Sequence, residues 1–147
     1  MAIGNSGMRS KAEAGTTCGA VVLAEVSHGG KVKVLRGDVA FDTGRVMNKD
    51  AVQVELEGGT LFGLNMAFNE GLRIKDGAIV EGNFDEYTLI RMADAPEIQV
   101  HFGGLTDAER YNEIGEPPVG TVAPAFASAV FQITANGCGA SRSANVT

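Results

Sequence analysis

At 147 residues with 44% apolar side chains, the chain is long enough for one hydrophobic core and too short for two. A formal charge of -6, with 12 basic side chains scattered among 18 acids, argues against a phosphate backbone as the main partner, because nucleic-acid binding needs clustered Lys and Arg. No apolar run reaches the length of a bilayer-spanning helix, and residues 1–15 mix Gly, Ser, Lys and Glu without the apolar middle of a signal peptide.

Met1 to Thr17 lacks periodicity and is rich in Gly, Ser and Ala, so it reads as a flexible leader. Gly19 to Val26 is an apolar, β-branched run, His28-Gly29-Gly30 supplies a turn, and Lys31-Val32-Lys33-Val34 alternates as a half-buried strand should; together they predict a hairpin. Asn48 is placed to cap a helix of about five turns in which Val52, Leu56, Gly59, Gly63 and Met66 share one face. Gly58, Gly59 and Gly63 each weaken that helix by about 1 kcal/mol relative to Ala, so its backbone is expected to approach something closely. On spacing alone, that something is a packed sheet before it is a cofactor.

Leu72 to Lys75 and Ala78 to Glu81 flank Asp76-Gly77, a dipeptide suited to the positive angles of a tight hairpin turn. Glu97 to His101 alternates as a further strand, Gly103-Gly104 ends it, and the polar stretch from Gly104 to Ile114 reads as a loop. A second helix is predicted from Val122 to Ala135, with Pro124 in its first turn, a face of Val122, Phe126, Ala129, Val130 and Ile133, and a stop at Asn136-Gly137. Residues 138–147 read as a flexible tail, leaving 18–137 as the folded domain. The fold class is α+β: a mostly antiparallel sheet, built from the two hairpins and the later strand, with two helices packed on it.

Cys18 and Cys138 are too few for a zinc or four-cysteine iron–sulfur site, and in their Gly-rich flanks they read as free thiols. His28 and His101 have no metal-ligand partner at useful spacing, and Asp42 and Asp50 read as turn and cap residues. Gly115-Glu116-Pro117-Pro118 is more informative. It holds one carboxylate on a stiff turn at the mouth of a helix, where backbone restriction fixes its pose.

Asp42 to Asp50, Glu55-Leu56-Glu57-Gly58-Gly59, Phe62-Gly63-Leu64, then Gly115-Glu116-Pro117 followed by Ala123-Pro124-Ala125 resemble, in order, the C-terminal part of the molybdopterin-binding subunit of the xanthine dehydrogenase and aldehyde oxidase family. The isoquinoline 1-oxidoreductase branch is the most similar, and the resemblance covers Thr17 to Gly137. It implies a fold like the family's second molybdopterin-binding domain, and a molybdenum hydroxylase that oxidises an aldehyde or N-heterocycle with oxygen from water. It also implies a molybdopterin-type cofactor shared with a larger molybdopterin-binding chain, and an iron–sulfur subunit that takes the electrons.

By the same resemblance Glu116 occupies the place of the general base, and Glu55, Gly58, Gly59 and Gly115 line the cofactor. Glu55 is a departure, since the family usually has Gln there. An ionised carboxylate accepts hydrogen bonds but cannot donate them, and it sets negative charge beside an anionic group. The isolated chain, lacking most of the implied cradle, is expected to be inactive. The alternative is a non-catalytic folded module that keeps the scaffold without the chemistry.

Overall fold

The computed structural model describes residues 2–11, 17–42, 44–103 and 111–134. Three strands open the chain: β1 (Ala2–Lys11), β2 (Thr17–Val26) and β3 (Val32–Asp42). Helix α1 (Lys49–Phe68) follows, then the short pair β4 (Ile74–Lys75) and β5 (Ala78–Ile79), then β6 (Glu97–Gly103) and helix α2 (Pro117–Thr134). The main sheet has the order β1-β2-β3-β6, antiparallel except for the β3–β6 ladder, which is parallel.

The α+β class with two packed helices therefore holds, with one difference in its assembly. The β4–β5 hairpin forms a separate two-stranded sheet and does not extend the main one. Its turn is as expected, with Asp76 at φ 51° and Gly77 at φ 81°, and the strands are so short that their edges find no ladder beyond each other.

The segment expected as a flexible leader contains β1, which pairs with β2 from Ala2↔Val26 to Lys11↔Thr17. A Gly- and Ser-rich stretch has little strand propensity of its own, and the ladder offered by the apolar strand β2 overrides it. The tail expected at 138–147 lies outside the described residues, as does Cys138. Cys18 is a buried free thiol whose pKa burial pushes up, against an opposing hydrogen bond with Thr121.

Strand β2 buries alternate residues, Cys18, Ala20, Val22, Ala24 and Val26, as one half-covered face requires. In β3 the parity changes midway, from Val32 and Val34 to Gly37, Val39 and Phe41. The cause is a bulge: Ala24 faces Val34 and Leu23 faces Arg36, so Leu35 is the extra residue that flips the remaining side chains across the sheet. Helix α2 packs over β1 and β2, and α1 packs against α2. The core between them centres on Phe41, Leu56, Leu64, Val22, Val39 and Val122, each almost fully buried. Phe68 and Phe126 seal the interface between the two helices with ring centroids 4.2 Å apart, tilted by 41°.

Asn48 caps α1 as predicted, its Oδ1 accepting from the Ala51 N–H at 3.1 Å. The buried face is Val52, Leu56, Thr60, Gly63 and Leu64, whereas Met66, expected on it, is exposed. A helix turns 100° per residue, so a stripe drawn from Val52 through Gly59 drifts off the core by Met66. Helix α2 begins at Pro117, so Pro124 lies in its interior instead of its first turn. The Pro117-Pro118 pair is the better helix start, because neither needs a backbone N–H there.

Candidate functional site

Four of the five residues singled out in the sequence, Glu55, Gly59, Gly115 and Glu116, sit where α1 passes the turn into α2. Gly59 carries no Cβ where one would lie 3.1 Å from the Gly115 carbonyl oxygen and 3.4 Å from Cγ of Pro118. A Cβ on Gly115 would in turn sit 3.3 Å from Oε1 of Glu55. The helix and the turn are thus close because both are glycine at the contact, and that closeness sets the Glu55 carboxylate over Gly115, next in chain to Glu116.

Glu116 immediately precedes α2 and is exposed. Its carbonyl oxygen accepts from the Val119 N–H at 3.0 Å, and one turn on the Thr121 hydroxyl donates to the Pro117 carbonyl at 2.7 Å. With Pro117 half-buried and Pro118 fully buried, the backbone behind the carboxylate is held while the side chain is free to face a ligand. Gly58 does not join this group. Nothing lies within 4 Å of a Cβ built on it, and it opens onto a different groove.

Beside Glu55 runs an open groove of about 370 Å³ whose polar lining includes Arg45, Asn48, Glu55, Tyr111 and Asn112. Asn112 reaches the Asp42 carbonyl through Nδ2 at 3.4 Å, and its buried Oδ1 has no hydrogen-bond partner among the described residues. A buried acceptor without a donor costs stability and is satisfied when a ligand brings an N–H or O–H. Asp42 itself shapes the approach, accepting from the Gly44 N–H at 3.2 Å while Gly44 adopts φ 65°. This is the turn role expected of Asp42.

His101, read as structural, pairs with Asp38 at 2.8 Å on the face of the sheet away from the helices. Arg36 grips the same carboxylate with two bonds of 2.7 Å and also donates to Gln99 Oε1 at 2.7 Å. Those hydrogen bonds from Arg36, with His101 adding to them, hold the Asp38 carboxyl at about 2. Sequence reasoning missed this network because Arg36 and Gln99 are neighbours only through the β3–β6 register. Alternation of polar residues on both strands was its sole trace. Among the described residues no group of three His, Cys, Asp or Glu side chains is placed to hold a metal ion. Among the described residues no helix is long and apolar enough to cross a membrane.

The region around Glu116 thus combines a carboxylate on a rigid turn, a glycine-thinned helix beside it and a largely apolar groove edged by Arg45, Glu55 and the Asn112 acceptor. Residues 5–96 match the pattern of the molybdopterin cofactor-binding domain, and the chain belongs to that family. It is 36% identical over 93 residues to the membrane-bound aldehyde dehydrogenase (pyrroloquinoline-quinone) of Gluconacetobacter polyoxogenes, covering 63% of this chain and 12% of that one. It is 30% identical over 95 residues to isoquinoline 1-oxidoreductase subunit beta of Brevundimonas diminuta, covering 65% and 12%.

The chain thus spans about an eighth, 12%, of either relative. In fold it resembles carbon monoxide dehydrogenase from Oligotropha carboxidovorans with a TM-score of 0.74 at 18% identity, over 82% of this chain and 16% of that one. The likeness to quinoline 2-oxidoreductase from Pseudomonas putida 86 has a TM-score of 0.71 at 18% identity, over 78% and 15%. The expected family and fold are both borne out by these matches.

Proposed function

We propose that this chain is the C-terminal cofactor-binding portion of a molybdenum hydroxylase that oxidises an aldehyde or N-heterocycle, completing its site with a larger molybdopterin-binding chain and passing electrons to an iron–sulfur subunit. The observation that carries this reading is the convergence of Gly59, Gly115 and Glu55 beside Glu116. This convergence supports Glu116 as the base in a chain that belongs to the molybdopterin cofactor-binding domain family.

The residues present fit such a cofactor in their chemistry. The unpartnered Asn112 Oδ1 suits an N–H of a pterin ring, and Arg45 suits its phosphate. Gly59 and Gly115 let α1 and the turn before α2 pack closely, which sets Glu55 beside that turn, and Gly58 lines the neighbouring groove. When bound, the cofactor supplies the two-electron oxidation of the substrate carbon. Glu116 takes up the proton lost from the attacking oxygen, and the Pro117-Pro118 turn keeps its carboxylate within hydrogen-bond reach. Glu55 adds an acceptor where a Gln would also donate, so it weakens the hold on an anionic group without removing the scaffold.

Metal and pterin analysis of the protein purified from its native host, with its partner chains, tests the proposal. Stoichiometric molybdenum and pterin are expected. Their absence alongside an active complex sinks it, and a bound quinone in their place, the cofactor named in the aldehyde dehydrogenase relative, redirects it.

A further inference from the structure

Helix α1 carries a second apolar stripe that the domain does not use. Val54, Gly58, Phe62 and Met66 recur every fourth residue, so they lie in one row about 18 Å long. Val54 is 68% exposed, Phe62 56% and Met66 45%. Gly58 and Phe62 of this row line a groove of about 320 Å³ together with Leu89 and Met92, of which Met92 is 96% exposed. The far wall is held in place by a buried side chain: Asn65 Oδ1 accepts from the Ile90 N–H at 2.8 Å, and its Nδ2 donates to Glu70 at 3.0 Å. The groove is therefore built and not a gap between loose segments.

Gly58 points to what fills it. A glycine inside a helix is destabilising and is kept where another backbone comes close. Gly63 shows the covered case on the same helix, since a Cβ there would sit 2.5 Å from Val122 Cγ1 and 2.6 Å from the Val119 carbonyl oxygen of α2. Gly58 is equally bare yet meets nothing. The charged residues lining the groove are Glu70 and Arg91, one of each sign.

From these observations we infer that the outer stripe of α1 and its groove are the docking surface for a polypeptide element, apolar where it meets Gly58 and Phe62, supplied by the larger molybdopterin-binding chain. This rests on the proposed function for the identity of the partner. The relatives' length favours that occupant, because about 88% of each lies outside the matched region. Charge disfavours a second copy of this chain, since each copy carries a formal charge of -6.

The test uses the tagged chain expressed in its native host, with a photo-crosslinking amino acid at position 62 and the captured chain identified by mass spectrometry. Recovery of a longer chain with molybdopterin-binding segments, crosslinked at position 62, is expected. In tag pull-downs without the crosslinker, Gly58→Leu and Phe62→Glu should lower recovery of the same longer chain at least about tenfold, and Phe131→Glu, an exposed site on α2, should not. Gly58→Leu should also raise the melting temperature of the isolated chain, which separates lost docking from lost folding.

Undiminished recovery in both variants, a crosslink between two copies, capture of any other protein at position 62, or a monomer without a partner overturns the inference. Molybdenum and pterin missing from a complex that still depends on Gly58 and Phe62 defeats the proposed function alone. A cofactor-loaded complex indifferent to both variants defeats the docking surface alone.

Discussion

Glu116 and Glu55 lie on either side of Gly115 and carry opposite expectations. Glu116→Gln removes the proton acceptor while leaving the Gly115-Pro117-Pro118 turn intact, so turnover of the assembled enzyme should fall by about 10²- to 10⁴-fold with cofactor content unchanged. Steady-state kinetics with parallel molybdenum analysis checks this, and undiminished turnover takes Glu116 out of the mechanism. Glu55→Gln exchanges an acceptor-only group for one that also donates, at a site with Arg45 and the Asn112 oxygen nearby. Molybdenum per assembled complex should rise. A loss of cofactor in that variant means the carboxylate is required.

The three helix glycines of α1 separate by what each one meets. Gly63→Ala forces a methyl against Val122 and the Val119 backbone and should destabilise the chain by about 1–3 kcal/mol. Gly58→Ala meets open space and should stabilise it by about 0.5–1 kcal/mol through helix propensity. Gly59→Ala, 3.1 Å from a carbonyl oxygen, falls between them. Urea denaturation of the three variants gives the order directly, and a Gly63→Ala as stable as Gly58→Ala is incompatible with backbone contact between α1 and α2 at Gly63.

At the scale of the molecule, the parallel β3–β6 ladder joins two strands separated in the chain by α1 and the small hairpin, and the Arg36, Asp38, Gln99 and His101 network fastens it. The Asp38 pKa is lowered from 3.8 to about 2, chiefly by its hydrogen bonds from Arg36. A carboxylate with a depressed folded pKa stabilises the native state above its unfolded pKa, and that contribution is lost as pH falls through the folded value. Stability should therefore drop between about pH 4 and pH 2. Asp38→Asn should flatten that part of the profile in denaturation measured at stepped pH, and an unchanged slope would assign the acid sensitivity elsewhere.

What the residues determined alone was local. Alternation in Lys31 to Val34, the positive-angle pair Asp76-Gly77, the Asn48 cap and the period of Val52 and Leu56 each follow from short-range stereochemistry, and each appears in the fold. Glu116 was legible for the same reason, since its stiff turn is encoded in four consecutive residues.

Only tertiary contact decided the rest. Ala2–Lys11 becomes a strand because β2 offers an edge, β6 runs parallel because α1 and the small hairpin carry the chain across before it returns to β3, and Pro124 is tolerated inside α2. Gly59 and Gly63 meet α2 while Gly58 meets nothing, a distinction that three glycines in one helix cannot express in sequence, because it depends on which side of α1 the second helix lies.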